Sequence, residues 1–241
     1  MKRIKSFTTV ILAVMFTVSL SAQTADEIIE KSLQAMGGKE FLSNITSLYT
    51  EGDIDVMGMI GTMKTTTLNG KGMRQDMDIM GSIISTCYTD SAGWSLNPMM
   101  GSYAAETMPE QQYNSGRDQI YIEGHFLNYD KNGSTAEYLG TETVSGVDAH
   151  KVEIIKPDST SALYYFDPDT YFLIYTVQQA EMQGMLVDNK MTFSDYREVE
   201  GYFTPFKISM DMAGGQFYMT ITFKNVELNK PVDETIFDKP L

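Results

Sequence analysis

The chain has 241 residues, a single Cys, two His and a formal charge of −14. That balance excludes nucleic acid as a partner and disfavours unaided binding to an anionic membrane surface. The lone Cys87 excludes an intramolecular disulfide framework, so stability must come from a packed core.

Lys2, Arg3 and Lys5 precede an apolar run from Phe7 to Leu20, and the small residues Ser21 and Ala22 precede Gln23. This is the three-part pattern of a secretory signal peptide over 1–22, with cleavage expected after Ala22. The run is too short and too broken by Thr and Ser for a membrane anchor. No later stretch reaches spanning length, so no transmembrane segment is expected once the leader is gone. No Cys follows the run, so an N-terminal lipid anchor is not available. The leader takes three basic and no acidic residues with it, leaving an exported single domain, 23–241, with a formal charge of −17.

Thr24 to Met36 reads as a helix. Ile28, Ile29, Leu33 and Met36 share a face, the acids Asp26, Glu27 and Glu30 sit in the first turns, and Gly37 and Gly38 stop it. A short helical piece, Lys39 to Asn44, follows. Beyond it the pattern is strands between turns: Leu48–Val56, Thr62–Asn69, Gly72–Met80, Ile84–Asp90, Glu137–Thr143, Ala149–Lys156, Ser161–Asp167, Phe172–Gln179, Val187–Tyr196, Phe206–Met212 and Phe217–Phe223. The last two alternate apolar and polar residues around Ala213-Gly214-Gly215, which is a hairpin of an antiparallel sheet wet on one side. Pro109 to Tyr121 reads as a second main helical segment. The fold class is mainly β with a few helices, about eleven strands in one domain. The helices supply too few large apolar residues to fill the concave side of such a sheet. Either the sheet closes tightly or it leaves a cavity.

The segment Gly93 to Gln112 holds the only Trp, Trp94, with Met99 and Met100, among Gly and Pro that exclude a helix interior or a central strand. Two readings stand: these residues form the mouth of an apolar cavity, or Trp94 pins the loop onto the core. Without Met1 and Met15, 16 Met remain. Met57, Met59, Met73, Met77, Met210 and Met212 fall at alternating strand positions. Unbranched, polarizable Met adapts to irregular ligands, whereas a tight core prefers residues with fewer rotamers. A plastic apolar pocket and a Met-rich core both fit this usage.

No motif commits the chain to catalysis or to a metal. His125 and His150 lack ligand spacing with Cys87, and His150 reads as a structural residue of a strand. Asn128 to Gly133 resembles the opening of a calcium loop, but the twelfth position, which needs a bidentate Glu, is Leu139; a hairpin turn explains the same residues. Gly-x-Ser-x-Gly, phosphate-loop and His-Glu-x-x-His patterns are absent from the sequence. No cofactor is expected.

Several segments together resemble the LolA-like outer-membrane lipoprotein-sorting proteins: Ala25–Gly52, Gly93–Ser102, Glu137–Ile155, Tyr164–Tyr175, Phe193–Ile208 and Val232–Pro240. The resemblance implies an unclosed antiparallel β half-barrel with helices in its concave side as a lid. It implies a periplasmic carrier that binds acyl chains of lipoproteins or lipids and hands them on through an inner- or outer-membrane protein partner. It does not imply an enzyme. A sensor or interaction module of the envelope on the same fold is the alternative. The acyl cavity is then expected to be lined by Met57, Met59, Met73, Met77, Trp94, Met99, Met100, Phe206, Met210, Met212, Phe217 and Met219. In the typical carrier a buried Arg closes the lid; Arg74 and Arg117 are the candidates here, and the sequence assigns the role to neither.

Overall fold

The computed structural model describes residues 23–122, 126, 127, 129–182 and 185–240. The expected leader, His125 and Asn128 lie outside the described residues.

Helix α1 (Ala25–Ala35) begins at a capping box. The Thr24 hydroxyl accepts from the Glu27 amide at 3.2 Å, and the Glu27 carboxylate accepts from the Thr24 amide at 3.3 Å. The Gly38 amide donates to Leu33 O at 2.9 Å and closes the far end. Helix α2 (Lys39–Ser43) follows directly.

The rest is one sheet. Its first wing is β1 (Ser47–Val56), β2 (Met59–Leu68), β3 (Gly72–Ile79), β4 (Ser82–Thr89), β5 (Gly93–Leu96) and β6 (Glu106–Thr107). Its second wing is β7 (Thr135–Val144), β8 (Val147–Ile155), β9 (Ser161–Phe166), β10 (Leu173–Met182), β11 (Met185–Val199), β12 (Tyr202–Met212) and β13 (Phe217–Leu228). The order is β6-β5-β4-β3-β2-β1-β13-β12-β11-β10-β9-β8-β7, antiparallel throughout. Each wing is a meander, and the first and last strands form the seam between them. The sheet is unclosed, with β6 and β7 at its edges. Helix α3 (Glu110–Gly116) and a 3-10 turn (Arg117–Ile120) lie in the segment that leads from one edge to the other.

All eleven expected strands are present. Two short ones, β5 and β6, raise the count to thirteen among the described residues; they come from the Gly93–Gln112 segment, at the sheet edge where Gly and Pro are tolerated. The expected helix Pro109–Tyr121 is broken, with α3 tightening into the 3-10 turn after Gly116. That glycine lies so close to Tyr88 that a Cβ would stand 2.3 Å from the phenol oxygen.

Directly paired residues share a face. The register therefore places Leu48, Ile54 and Val56 of β1 on one face with Met59 and Met63 of β2 and with Met73, Met77 and Ile79 of β3. Ile84 and Tyr88 of β4, Met219 and Ile221 of β13, and Ile208, Met210 and Met212 of β12 join them. Both α1 and α3 pack on this same inner face. At Gly61 the strands approach so closely that a Cβ would lie 2.2 Å from Asp78 O of the next strand.

Candidate functional site

The inner face has two halves. In one, Ile28, Ile29 and Leu33 of α1 and Leu42 of α2 pack against Val152, Ile154, Tyr164, Phe166, Tyr202 and Leu228. Beside them, Met108, Tyr113 and Ile120 of the crossing segment cover Met73 and Tyr88. The cover is firmly attached: Tyr113 Oη donates to Thr89 O at 3.0 Å, Gly70 N to Ile120 O at 2.9 Å, and Lys156 Nζ pairs with Asp118 at 2.9 Å.

The other half belongs to strands alone. Ile54, Val56, Met63, Ile79 and Ile221 are buried, with half-buried Met59, Met77, Ile84, Met210, Phe217, Met219 and Phe223 around them; no helix residue belongs to this cluster. Met212, opposite Phe217, and Ile208, opposite Ile221, extend it across β12, and Met191 and Phe193 extend it to β11. Charged residues of these strands, Asp53, Asp55, Lys64, Asp76, Asp78 and Lys207, alternate onto the outer face. The open half of the inner face is therefore mainly apolar, with no charged side chain from β1, β2, β3, β12 or β13. It contains no Leu. The covered half uses Leu33, Leu42, Leu48, Leu127, Leu173 and Leu228.

Of the expected lining, Met59, Met77, Met210, Met212, Phe217 and Met219 come together in the open half. Phe206 shares the face but is 6% exposed, with the Arg197 guanidinium 4.5 Å from its ring centroid. Met73 lies beneath the cover. Met57 is not in the groove; it stands in the β1–β2 turn at φ 53° and is exposed. Met99 and Met100 are also exposed, in a 3-10 turn at Pro98–Met100 between β5 and β6. Met63, Met191, Ile54, Ile84 and Ile221 belong to the face and were not among the candidates. The period-2 alternation that exposed Met210 and Met219 also marks Ile221.

Trp94 requires a correction: it is not at a cavity mouth. It pairs with Cys87 and shares the outer face with it, 4% exposed beneath the C-terminal segment. Its Nε1 donates to Phe237 O at 2.8 Å, and the Arg74 guanidinium lies 5.5 Å from its ring centroid. The pinning reading of Trp94 is the one the structure supports. Arg74 is also on the outer face, bonded to Asp76 and to Ile236 O at 3.1 Å, so it does not close a lid. Burial pushes the Cys87 thiol up to about 12 and keeps it protonated.

A space of about 980 Å³ lies elsewhere. It lies between the crossing segment and residues 156–158, and its walls are mainly polar: Glu110, Asn114, Arg117, Asp118, Lys156 and Asp158 among them. Such walls do not suit an acyl chain. Among the described residues no group of three His, Cys, Asp or Glu is placed to hold a metal, and no helix is long and apolar enough to cross a membrane.

Solved structures with the same architecture decide the fold. A LolA superfamily protein from Nitrosomonas europaea superposes with a TM-score of 0.60 at 14% identity, over 90% of this chain and 99% of its own. The fold is LolA-like. A DUF1329 family protein from Desulfovibrio piger superposes equally well, with a TM-score of 0.60 at 13% identity over 90% of this chain and 98% of its own. A domain from Vibrio parahaemolyticus described as an outer membrane lipoprotein-sorting protein gives 0.56 at 14%, over 87% and 97%. A family model described as an uncharacterized protein matches residues 126–240, from the end of the crossing segment to the C-terminal segment of this LolA-like sheet. Comparison with curated proteins gives no match.

Proposed function

We propose that this protein is an exported, periplasmic carrier that buries acyl chains of lipids or lipoproteins on the open half of its inner face. The observation that carries the reading is an apolar half of the inner face on which no described helix packs, built from Met59, Met63, Met77, Met210 and Met219 with Ile and Phe. A surface that needs one fixed partner favours residues with few rotamers. A surface that must mould to irregular chains favours Met. The LolA-like architecture and the leader pattern support the same reading.

Affinity comes from burial, at about 0.8 kcal/mol per CH2. On this half β1, β2, β3, β12 and β13 present no charged side chain, so the cargo portion it holds is apolar and no covalent step is involved. Headgroup and peptide stay in water or on the polar rim. The acidic exterior keeps the carrier off anionic headgroups, so uptake and delivery run through a membrane-protein partner.

Native mass spectrometry of the leaderless protein, purified without detergent and followed by lipid extraction, tests this. A discrete added mass releasing an acylated species is expected, and Met77→Asp, at a half-buried position, lowers its occupancy at least tenfold. A bare protein that also ignores added fatty acid and acylated peptide would overturn the carrier reading and leave the methionines as core.

A further inference from the structure

The register brings three methionines into direct cross-strand succession. Met191 of β11 is opposite Met210 of β12, and Met210 is opposite Met219 of β13. The row continues through Val56 of β1 to Met59 of β2. Directly opposed residues on one face hold their Cβ atoms about 5 Å apart. Three flexible thioethers set side by side on a concave face can converge on one ion above the middle one. Met191, Met210 and Met219 are all half-buried, so their sulfurs are neither locked in a core nor lost in bulk water.

We infer that Met191, Met210 and Met219 form a binding site for a soft monovalent metal ion of the Cu(I) class. Moulding to acyl chains favours Met anywhere on the face but does not require three of them directly opposite one another in a single row. Thioether sulfur selects soft ions and is a poor ligand for Ca(II), Mg(II) or Zn(II), which prefer oxygen, imidazole or thiolate. No carboxylate or imidazole shares the row, so a hard cation has nothing to bind there. The strongly negative net charge offsets part of the cost of placing a single positive charge in an apolar groove. The inference is independent of the carrier reading, although both use the same face.

The test uses Ag(I) alone, in nitrate buffer, with the leaderless full chain followed by calorimetry and native mass spectrometry. One Ag(I) per chain is expected. The triple variant Met191→Leu/Met210→Leu/Met219→Leu lowers the affinity at least tenfold, and Met210→Leu alone, should the triple variant not fold, lowers it severalfold. Cys87→Ser leaves it unchanged, because that thiol is fully buried on the other face. Absence of stoichiometric binding, binding unaffected by Met210→Leu, or binding lost in Cys87→Ser would each overturn the site. Leu keeps the apolar volume, so the same variants still bind a fatty-acid probe if the carrier reading holds. An unmutated protein that binds Ag(I) but not the fatty-acid probe sinks the carrier reading alone.

Discussion

Trp94 holds a strap in place. Its indole N–H and the Cys87 thiol both donate to Phe237 O, at 2.8 and 3.5 Å, while Arg74 donates to Ile236 O and rests on the indole ring. These contacts fix the C-terminal segment on the outer face, remote from the open apolar groove. Tryptophan fluorescence is therefore expected to stay constant when a fatty acid binds, and Trp94→Ala is expected to cost about 3–5 kcal/mol in a urea unfolding curve. A spectral shift on binding would place the acyl chain on the wrong side of the sheet. His150 is a second residue with a readable consequence. It is half-buried on the inner face, its Nδ1 3.2 Å from Tyr138 Oη and its ring stacked on Tyr171. Burial, and then the Lys31 ammonium, lower its pKa below the ordinary 6.5, against an opposing pull from Asp167. A lowered folded-state pKa means the folded state resists protonation. The stability this residue contributes is complete above the unfolded pKa and is lost as pH falls through it toward the folded value. The urea midpoint of the wild type should thus drop more steeply than that of His150→Gln as the pH falls below the ordinary 6.5; parallel profiles would remove His150 from the account.

At the scale of an element, two hairpins repeat one device. In Asp55-Val56-Met57-Gly58 and Asp78-Ile79-Met80-Gly81 the Asp carboxylate accepts from the Gly amide, at 2.7 and 2.9 Å. The Met takes φ 53° or 55° and the Gly takes 87° or 82°. Positive φ at both central residues is the habit of a type I′ turn, where Asn-Gly is preferred and a Met is strained by about 1 kcal/mol. Met57→Asn and Met80→Asn should each raise stability by about 0.5–1 kcal/mol in denaturant melts. A lower midpoint would mean that the exposed Met side chains hold the tips by contact. These hairpins also show what the sequence could carry. Period-2 alternation marked the strands on either side, because a sheet wet on one face forces that alternation. The turn boundaries blurred, because Met-Gly is not a recognised turn signal. β5 and β6 stayed hidden, because four and two residues are too short to show a period. Trp94 could not be given a face, since its side depends on its pairing with Cys87 and on a strap more than a hundred residues away.

For the whole molecule, what was legible was the architecture and the existence of an apolar face; what was not was how the helices divide it. The first helix was recognisable from its own apolar face, and the second helical segment from its opening proline. That they pack together on one half and leave the Met-bearing half to strands alone depends on the twist and register of all thirteen strands, which no local window contains. One feature of that register reaches beyond the finished structure. Because β1 pairs with β13, the two wings of the described sheet meet along a seam between strands more than 160 residues apart. A growing polypeptide makes the first wing early, with Ile54, Met63 and Ile79 already arrayed on one side. Its neighbour across the seam does not exist until Phe217 to Leu228 have been added. Such late, sequence-distant closure is slow, and it leaves an apolar surface bare in the meantime. The nascent chain is thus a natural client for a holding chaperone, and its maturation is timed by the arrival of Phe217 to Leu228.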